Sequence, residues 1–264
     1  MLKIVTLNLL NDLTYWEKRA PLILQNLQEL EPDLVAMQEV ALPENNAAWL
    51  ADQLGGYSTY LCPKTNGRGK KEGLAILSRL PVQLYDTLAL GAQNRVAQRV
   101  IVQKDKHRWM FVNTHLFWSP FDDPVRVQQV QLLLNWVPQQ LHAVICGDFN
   151  SMPEYRAIRV IKRRMNSAYE SAHGHEPEHT YPTPLKRGPG LRHSARRAAM
   201  QVAGRVLDTP CDGWCGTVDY IFVSQPVQVN ECQVVFTKPS VYDGNIYPSD
   251  HMGLTASLNL PDEV

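Results

Sequence analysis

Eight short runs rich in branched and aromatic residues punctuate the chain, and their order along it limits the fold more than any other feature. They are KIVTLNL from Lys3, DLVAMQEV from Asp33, GLAILS from Gly73, QRVIVQ from Gln98, WMFVNTHL from Trp109, HAVICGDFN from His142, VDYIFVS from Val218 and GLTASLNL from Gly253. Each is bounded by turn formers and has the length of a β-strand. Helical spacing is visible over Glu17–Leu30, where Ile23, Leu27 and Leu30 recur and Pro32 follows. Pro21 is expected to start or kink that helix. A second helix is expected over Asp122–Trp136 and a third after Pro153, where proline suits a first turn. Several strands follow one another directly, so the strict alternation of a doubly wound sheet is absent, and two packed sheets flanked by helices fit the order better. For 264 residues, one compact unit over 1–264 is expected.

The ends of these runs carry the chemistry, because a strand that is apolar until its last residues delivers those side chains to one rim of a sheet. Asn8 ends the first run, Glu39 the second and His115 the fifth; Asp148 and Asn150 close HAVICGDFN, Asp219 opens VDYIFVS, and Asp250 with His251 precedes the last. Singly each has an ordinary explanation: asparagines form turns, aspartates cap, a lone histidine packs in a core. The sharpest is Asp148-Phe149-Asn150, whose period-two spacing would put an acceptor and a neutral donor on one face. Together the residues supply carboxylates for a hard cation, an imidazole for proton transfer and amides for an oxyanion.

The stretches TLNLLND, DLVAMQEV, GLAILSRLPV, VNTHL, GDFNSMP, VDYIFVS and YPSDHMGL, in this order from residue 3 to about 255, resemble the endonuclease/exonuclease/phosphatase superfamily. The resemblance implies an α/β fold, a four-layer sandwich of two mixed, mainly antiparallel sheets packed face to face and flanked by helices. It implies hydrolysis of a phosphate ester by activated water with Mg²⁺, for which Mn²⁺ could substitute. Glu39 looks like the principal metal carboxylate, with Asn8 and Asp250 as further direct or water-mediated ligands. Asp148 looks like the group that orients or deprotonates the water, Asn150 and His115 like donors to the phosphoryl oxygens, and His251 with Asp219 like a His-Asp dyad. Arg99 stands where relatives often carry a base that binds substrate, a structural ion pair being the other reading. The substrate class stays open among nucleic acid, small nucleotide and lipid or inositol headgroup. An inactive relative that binds a phosphate ligand or a protein is the competing reading, against which stands the retention of every expected catalytic residue.

Composition narrows the rest. Lys+Arg and Asp+Glu both number 26, so no net field announces a polyanionic partner, and any attraction for phosphate is local. One local source is the stretch 173–214, read as a long loop insertion with a short helix over Ser194–Val206. Between Lys186 and Arg205 it holds six bases and no acid, and Arg192, Arg196 and Arg197 are its expected substrate-binding residues. The segment KTNGRGKKEGL lacks the Gly-Lys-Ser/Thr ending of a phosphate-binding P-loop and reads as an exposed strand connection. Phe117, Trp118 and Phe121 read first as core or rim packing and second as a stacking platform. Five cysteines without a CxxC pair suggest neither a disulfide framework nor a zinc site, and spacing favours no bond between Cys211 and Cys215. The cysteine usage fits a reducing cytoplasm, a monomer is assumed, and Asn8, Asn11 and Asp12 interrupt the first apolar run before a signal core or membrane span forms.

Overall fold

The computed structural model describes residues 1–64, 72–118, 124–138, 141–186 and 214–261. In chain order the elements are β1 (Leu2–Asn8), α1 (Trp16–Leu30), β2 (Leu34–Ala41), α2 (Asn46–Leu54), β3 (Ser58–Pro63), β4 (Glu72–Ser78), β5 (Val82–Ala89), β6 (Val96–Lys104), β7 (His107–His115), α3 (Pro124–Trp136), β8 (His142–Asp148), α4 (Arg156–Ile161), β9 (Met165–Ser167), α5 (Ala168–His173), β10 (Asp219–Ser224), β11 (Gln228–Val235) and β12 (Gly253–Asn259). They form two six-stranded sheets, ordered β11-β12-β1-β2-β4-β3 and β5-β6-β7-β8-β10-β9.

Three apolar clusters make the layers. Ile4, Ala36, Val100, Phe111, Val144, Ile221 and Ala256 fill the space between the sheets. The alternate residues of the first sheet, Val5, Leu7, Val35 and Met37, turn outward onto Ile23, Leu27 and Leu50 of α1 and α2. Met110, Val112, Ala143 and Ile145 of the second sheet do the same against Val130, Leu133, Ile158 and Ile161 of α3 and α4. Because both faces of the central strands are covered, these strands read as continuous apolar runs rather than alternating ones. The result is the four-layer α/β sandwich.

Each sheet contains one parallel pair joined by a helix: β1 with β2 through α1, and β7 with β8 through α3. The other ladders are antiparallel. Parallel neighbours finish at the same edge, so each pair brings two carboxyl ends together. This geometry positions the site. At the end of β8 the backbone needs a glycine, since Gly147 has φ +134° and an added Cβ would lie 2.0 Å from the Thr114 carbonyl oxygen.

All eight expected strands are present. The first helix begins at Trp16 and carries Pro21 in its interior rather than at its start; Glu31 closes it at φ 47° with its N–H on the Leu27 carbonyl. The second begins at Pro124, the third at Arg156. The helix expected over Ser194–Val206 lies outside the described residues. Six elements were not legible: β3, β5, β9, β11, α2 and α5. The stretch after His173 is no simple spacer, for Thr180, Tyr181 and Thr183 are buried. Thr180 and Tyr181 bond to the Gly216 carbonyl, and Thr183 bonds to that of Asp250. Cys215 is disulfide-bonded, and the expectation for Cys211 and Cys215 falls on Cys211, outside the described residues. Cys62, Cys146 and Cys232 are free and buried. Among the described residues no helix is long and apolar enough to cross a membrane.

Candidate functional site

The two parallel pairs place Asn8 at the end of β1, His115 at the end of β7 and Asp148 at the end of β8, with His115 and Asp148 in direct register. The antiparallel neighbour β10 begins at the same edge, so Asp219 stands opposite Asp148. Asp250 and His251 lie just before β12. All of these side chains are buried.

Glu39 differs. It sits inside β2, where the ladder to β4 shifts register between Met37 and Val40, and its φ is 51°. Left-handed backbone in a long side chain is costly and needs external support. Asn113 of β7 supplies it from the other sheet by donating to the Met37 and Ala75 carbonyls, each at 2.9 Å. Gln38 donates in turn to Asn113 Oδ1 at 2.7 Å and to Thr6 Oγ1 at 3.1 Å. The bulge lifts Glu39 out of the core to intermediate exposure.

Asp148 Oδ2 is the convergence point. Asn8 Nδ2 reaches it at 3.1 Å, His115 Nε2 at 3.3 Å and His251 Nε2 at 3.9 Å. His251 Nδ1 is held by Asp219 Oδ2 at 2.9 Å, and Tyr181 packs on the His251 ring with centroids 4.6 Å apart. Burial raises the Asp148 pKa, and Asp219 and Glu39 add to the rise. For His251, burial opposes the charged form but is outweighed by Asp219, Asp148 and Asp250, so its pKa is raised. His115 is held well below the usual histidine range by burial, then by Arg95, Lys64 and His251. It is therefore a neutral donor near pH 7.

The oxygen donors fit a hard divalent cation. Glu39 accepts from Asn8 Nδ2 at 3.3 Å and from the Asn11 amide at 3.2 Å, long bonds that use two of about four lone-pair sites on a carboxylate. Asn8 lies against Glu39, and Asp250 is tied to the same corner by Ser249, whose hydroxyl donates to the Asn8 carbonyl at 2.6 Å. A second grouping, Asp148, Asp219 and His251, has ligand atoms within 4.8 Å of one another. Asp219 Oδ1 there is buried with no hydrogen-bond partner among the described residues. Asp219 Oδ2 already holds His251.

Two expectations change. Asn150 lies beyond the end of β8 at φ 48°, so period-two spacing does not place it. Its amide donates to Asp148 Oδ1 at 2.8 Å and its Nδ2 to the Leu116 carbonyl at 3.1 Å, which keeps it beside Asp148 through a turn. Arg99 is structural. It pairs with Asp86 at 2.9 Å, donates to the Trp136 carbonyl at 2.6 Å and lies 4.1 Å over the Trp136 ring, because β6 holds it opposite Val112, away from the site edge that His115 marks. Arg192, Arg196 and Arg197 lie outside the described residues, as does Phe121; Trp118 is 50% exposed.

The base that does reach the site is Arg95, at the end of the loop into β6. It is buried, holds Gln93 Oε1 through Nε and Nη2 and lies 3.8 Å from Glu72. Burial pulls its pKa down, while Glu39 and Asp148 pull it back up. Lys64 pairs with the same Glu72, and burial, then Arg95, lowers its pKa to about 8 against the opposing pull of Glu39. No motif marks these three residues, which come from separate segments. Thr180 was also missed: its hydroxyl accepts from the Val218 and Asp219 amides at 3.0 and 3.1 Å and fixes where β10 starts.

Comparison with known proteins agrees with this geometry. The chain is 26% identical over 178 residues to "Probable RNA exonuclease NGL3" of Saccharomyces cerevisiae, covering 56% of this chain and 35% of that protein. It is 24% identical over 279 residues to Nocturnin of Homo sapiens, covering 94% of this chain and 59% of that one. The chain thus spans between about a third and three fifths of the length of these relatives. The crystal structure of D. rerio TDP2 complexed with single strand DNA product superposes with a TM-score of 0.76 at 16% identity, covering 98% of both chains, a likeness of fold. The sequence profile described as Endonuclease/Exonuclease/phosphatase family matches residues 5–251, and the chain belongs to that family of metal-dependent phosphoesterases.

Proposed function

We propose that the chain is a Mg²⁺-dependent phosphodiesterase acting on nucleic acid or nucleotide phosphate esters, with residues 1–264 as one catalytic unit. The carrying observation is the convergence on Asp148 Oδ2 of three N–H-bearing groups, Asn8, His115 and His251, at 3.1 to 3.9 Å, beside the partly exposed carboxylate of Glu39. Glu39, Asn8 and Asp250 would hold Mg²⁺, or Mn²⁺ in its place, which when bound supplies Lewis-acid polarisation of the phosphoryl group. Asp148 orients the attacking water and takes its proton. Asp219 fixes the His251 ring, and His251, His115 and Asn150 donate to phosphoryl oxygens as charge grows on them. Arg95 and Lys64 neutralise an adjacent phosphate, and Arg192, Arg196 and Arg197 grip phosphates further along a polyanion.

The relatives named as an RNA exonuclease and as a complex with a DNA product support nucleic acid over a lipid headgroup. Action as a cytoplasmic monomer completes the proposal, and a thiol count on protein from reducing cells tests it against an oxidising compartment. The main test is a Mg²⁺-dependent panel of single- and double-stranded DNA, RNA, dinucleotides, phosphoinositides and sphingomyelin, with EDTA as control. Hydrolysis of nucleic acid or dinucleotides is expected. Turnover of only the lipid substrates, or EDTA-insensitive turnover, overturns the reading.

A further inference from the structure

We propose that Arg19 is a positioning residue of this centre, whose guanidinium joins the segment after Asn8 to the segment before Asp250 and so sets the spacing of the oxygens that receive the cation. The inference rests on the proposed ligand set of Glu39, Asn8 and Asp250. Arg19 lies in α1 and is 1% exposed, among the largest fully buried side chains. Its Nη1 donates to the Leu9 carbonyl at 2.8 Å and to the Pro248 carbonyl at 3.0 Å. Its Nη2 donates to the Leu10 carbonyl at 3.2 Å and to the Asp12 carbonyl at 2.8 Å. Leu9 is the neighbour of Asn8, and Pro248 stands two residues before Asp250. Ser249 makes a parallel tie between the same segments through its hydroxyl on the Asn8 carbonyl.

Desolvating a guanidinium is expensive, and the carbonyls Arg19 serves show what its burial accomplishes. After Asn8 the chain leaves the sheet, and Leu10 has φ 58°. A loop in that conformation turns carbonyls inward with no strand to receive them, and each stranded acceptor is costly. One planar fork with five donors answers several at once, which a lysine ammonium cannot do in the same geometry. The side effect is functional: Leu9 and Pro248, which share one Nη1 although far apart in sequence, flank the two polar ends that must meet at the cation.

The test uses the full chain with Arg19→Lys, Arg19→Ala and Ser249→Ala, and Glu39→Gln as control. Mg²⁺ and Mn²⁺ dissociation constants are measured by calorimetry, melting temperatures by scanning, and bis-p-nitrophenyl phosphate hydrolysis as a function of metal concentration. Outer residues that orient metal ligands typically change affinity by about 10- to 100-fold. Arg19→Lys is expected to weaken metal binding in that range while staying folded, with part of the lost rate returning at high metal. Ser249→Ala should act in the same direction and less. Added guanidinium should restore metal affinity to Arg19→Ala, which a purely structural role does not predict. A folded Arg19→Lys with wild-type metal affinity overturns the inference; if Arg19→Lys fails to fold, wild-type affinity in Ser249→Ala overturns it. Unchanged affinity in Glu39→Gln instead overturns the ligand assignment beneath it, so the two failures are distinguishable.

Discussion

The two sheets meet at one edge and contribute differently to it. The second sheet supplies His115, Asp148 and Asp219 from strands in unbroken register, all nearly inaccessible to solvent. The first sheet supplies Glu39 from a bulge, in left-handed backbone and partly exposed. Burial raises the pKa of Asp148 toward neutrality, as suits a group that exchanges protons. A carboxylate that must bind a cation from solvent needs lone pairs free and a path to water. The difference in backbone regularity is therefore a difference in task, and His251, on the loop into the first sheet but held by Asp219 of the second, joins the two.

Glu39→Gln tests the first half and should show the largest effect. Loss of the principal metal carboxylate should remove several kcal/mol of transition-state stabilisation, a fall of about 10³-fold or more in kcat, with weakened Mg²⁺ binding in calorimetry. If Asp219→Asn loses metal as severely while Glu39→Gln keeps it, the comparison is inverted and the grouping of Asp148, Asp219 and His251 is the metal site. Next, His251→Ala and Asp219→Asn should each lower turnover by about 10²- to 10⁴-fold with metal affinity little changed. Their losses should not add in the double variant, because Asp219 acts by holding His251. Full additivity would separate the pair.

Lys64 sharpens the picture at the rim. Its lowered pKa of about 8 means that its charge is present below that pH and lost above it. For an anionic substrate kcat/KM should fall as pH rises through about 8, and Lys64→Arg should keep it level. An unchanged fall in that variant assigns the titration elsewhere. The smallest catalytic effect is expected for Arg99→Ala: kcat and KM should hold within about twofold while stability drops by about 1–2 kcal/mol through loss of the Trp136 and Asp86 contacts. A large KM change with unaltered melting would return Arg99 to the site.

Where the sequence was readable, physical coverage explains it. The central strands are apolar on both faces, and all of them were visible as runs. Strands β5 and β11 lie at sheet edges with mostly exposed side chains, so their polar residues conceal them. Helix α2 is nine residues long and announced by little more than its capping Asn45. In the site, residues at strand ends were legible because a change from apolar to polar marks them. Arg95, Lys64 and Thr180 carry no such mark, since their importance comes from three segments meeting in space. Arg99 was read as a candidate base without sight of its position, because register relative to the site edge is set by pairing between strands. The support of the Glu39 bulge by Asn113 is likewise a contact between sheets, 76 residues apart from Met37.

The first and last strands, β1 and β12, are hydrogen-bonded neighbours, and Asn8 meets Ser249 across 241 residues of sequence. Pairings of this separation close late, because the loop entropy is lost before the contact is gained. During synthesis the chain would expose Asn8 and Glu39 early, but no nascent fragment ending before His251 could assemble the dyad. Hydrolysis by a partly made or proteolytically shortened chain is thereby prevented by topology. Catalytic onset, followed during refolding or translation, should coincide with docking of β12 rather than with formation of either sheet alone.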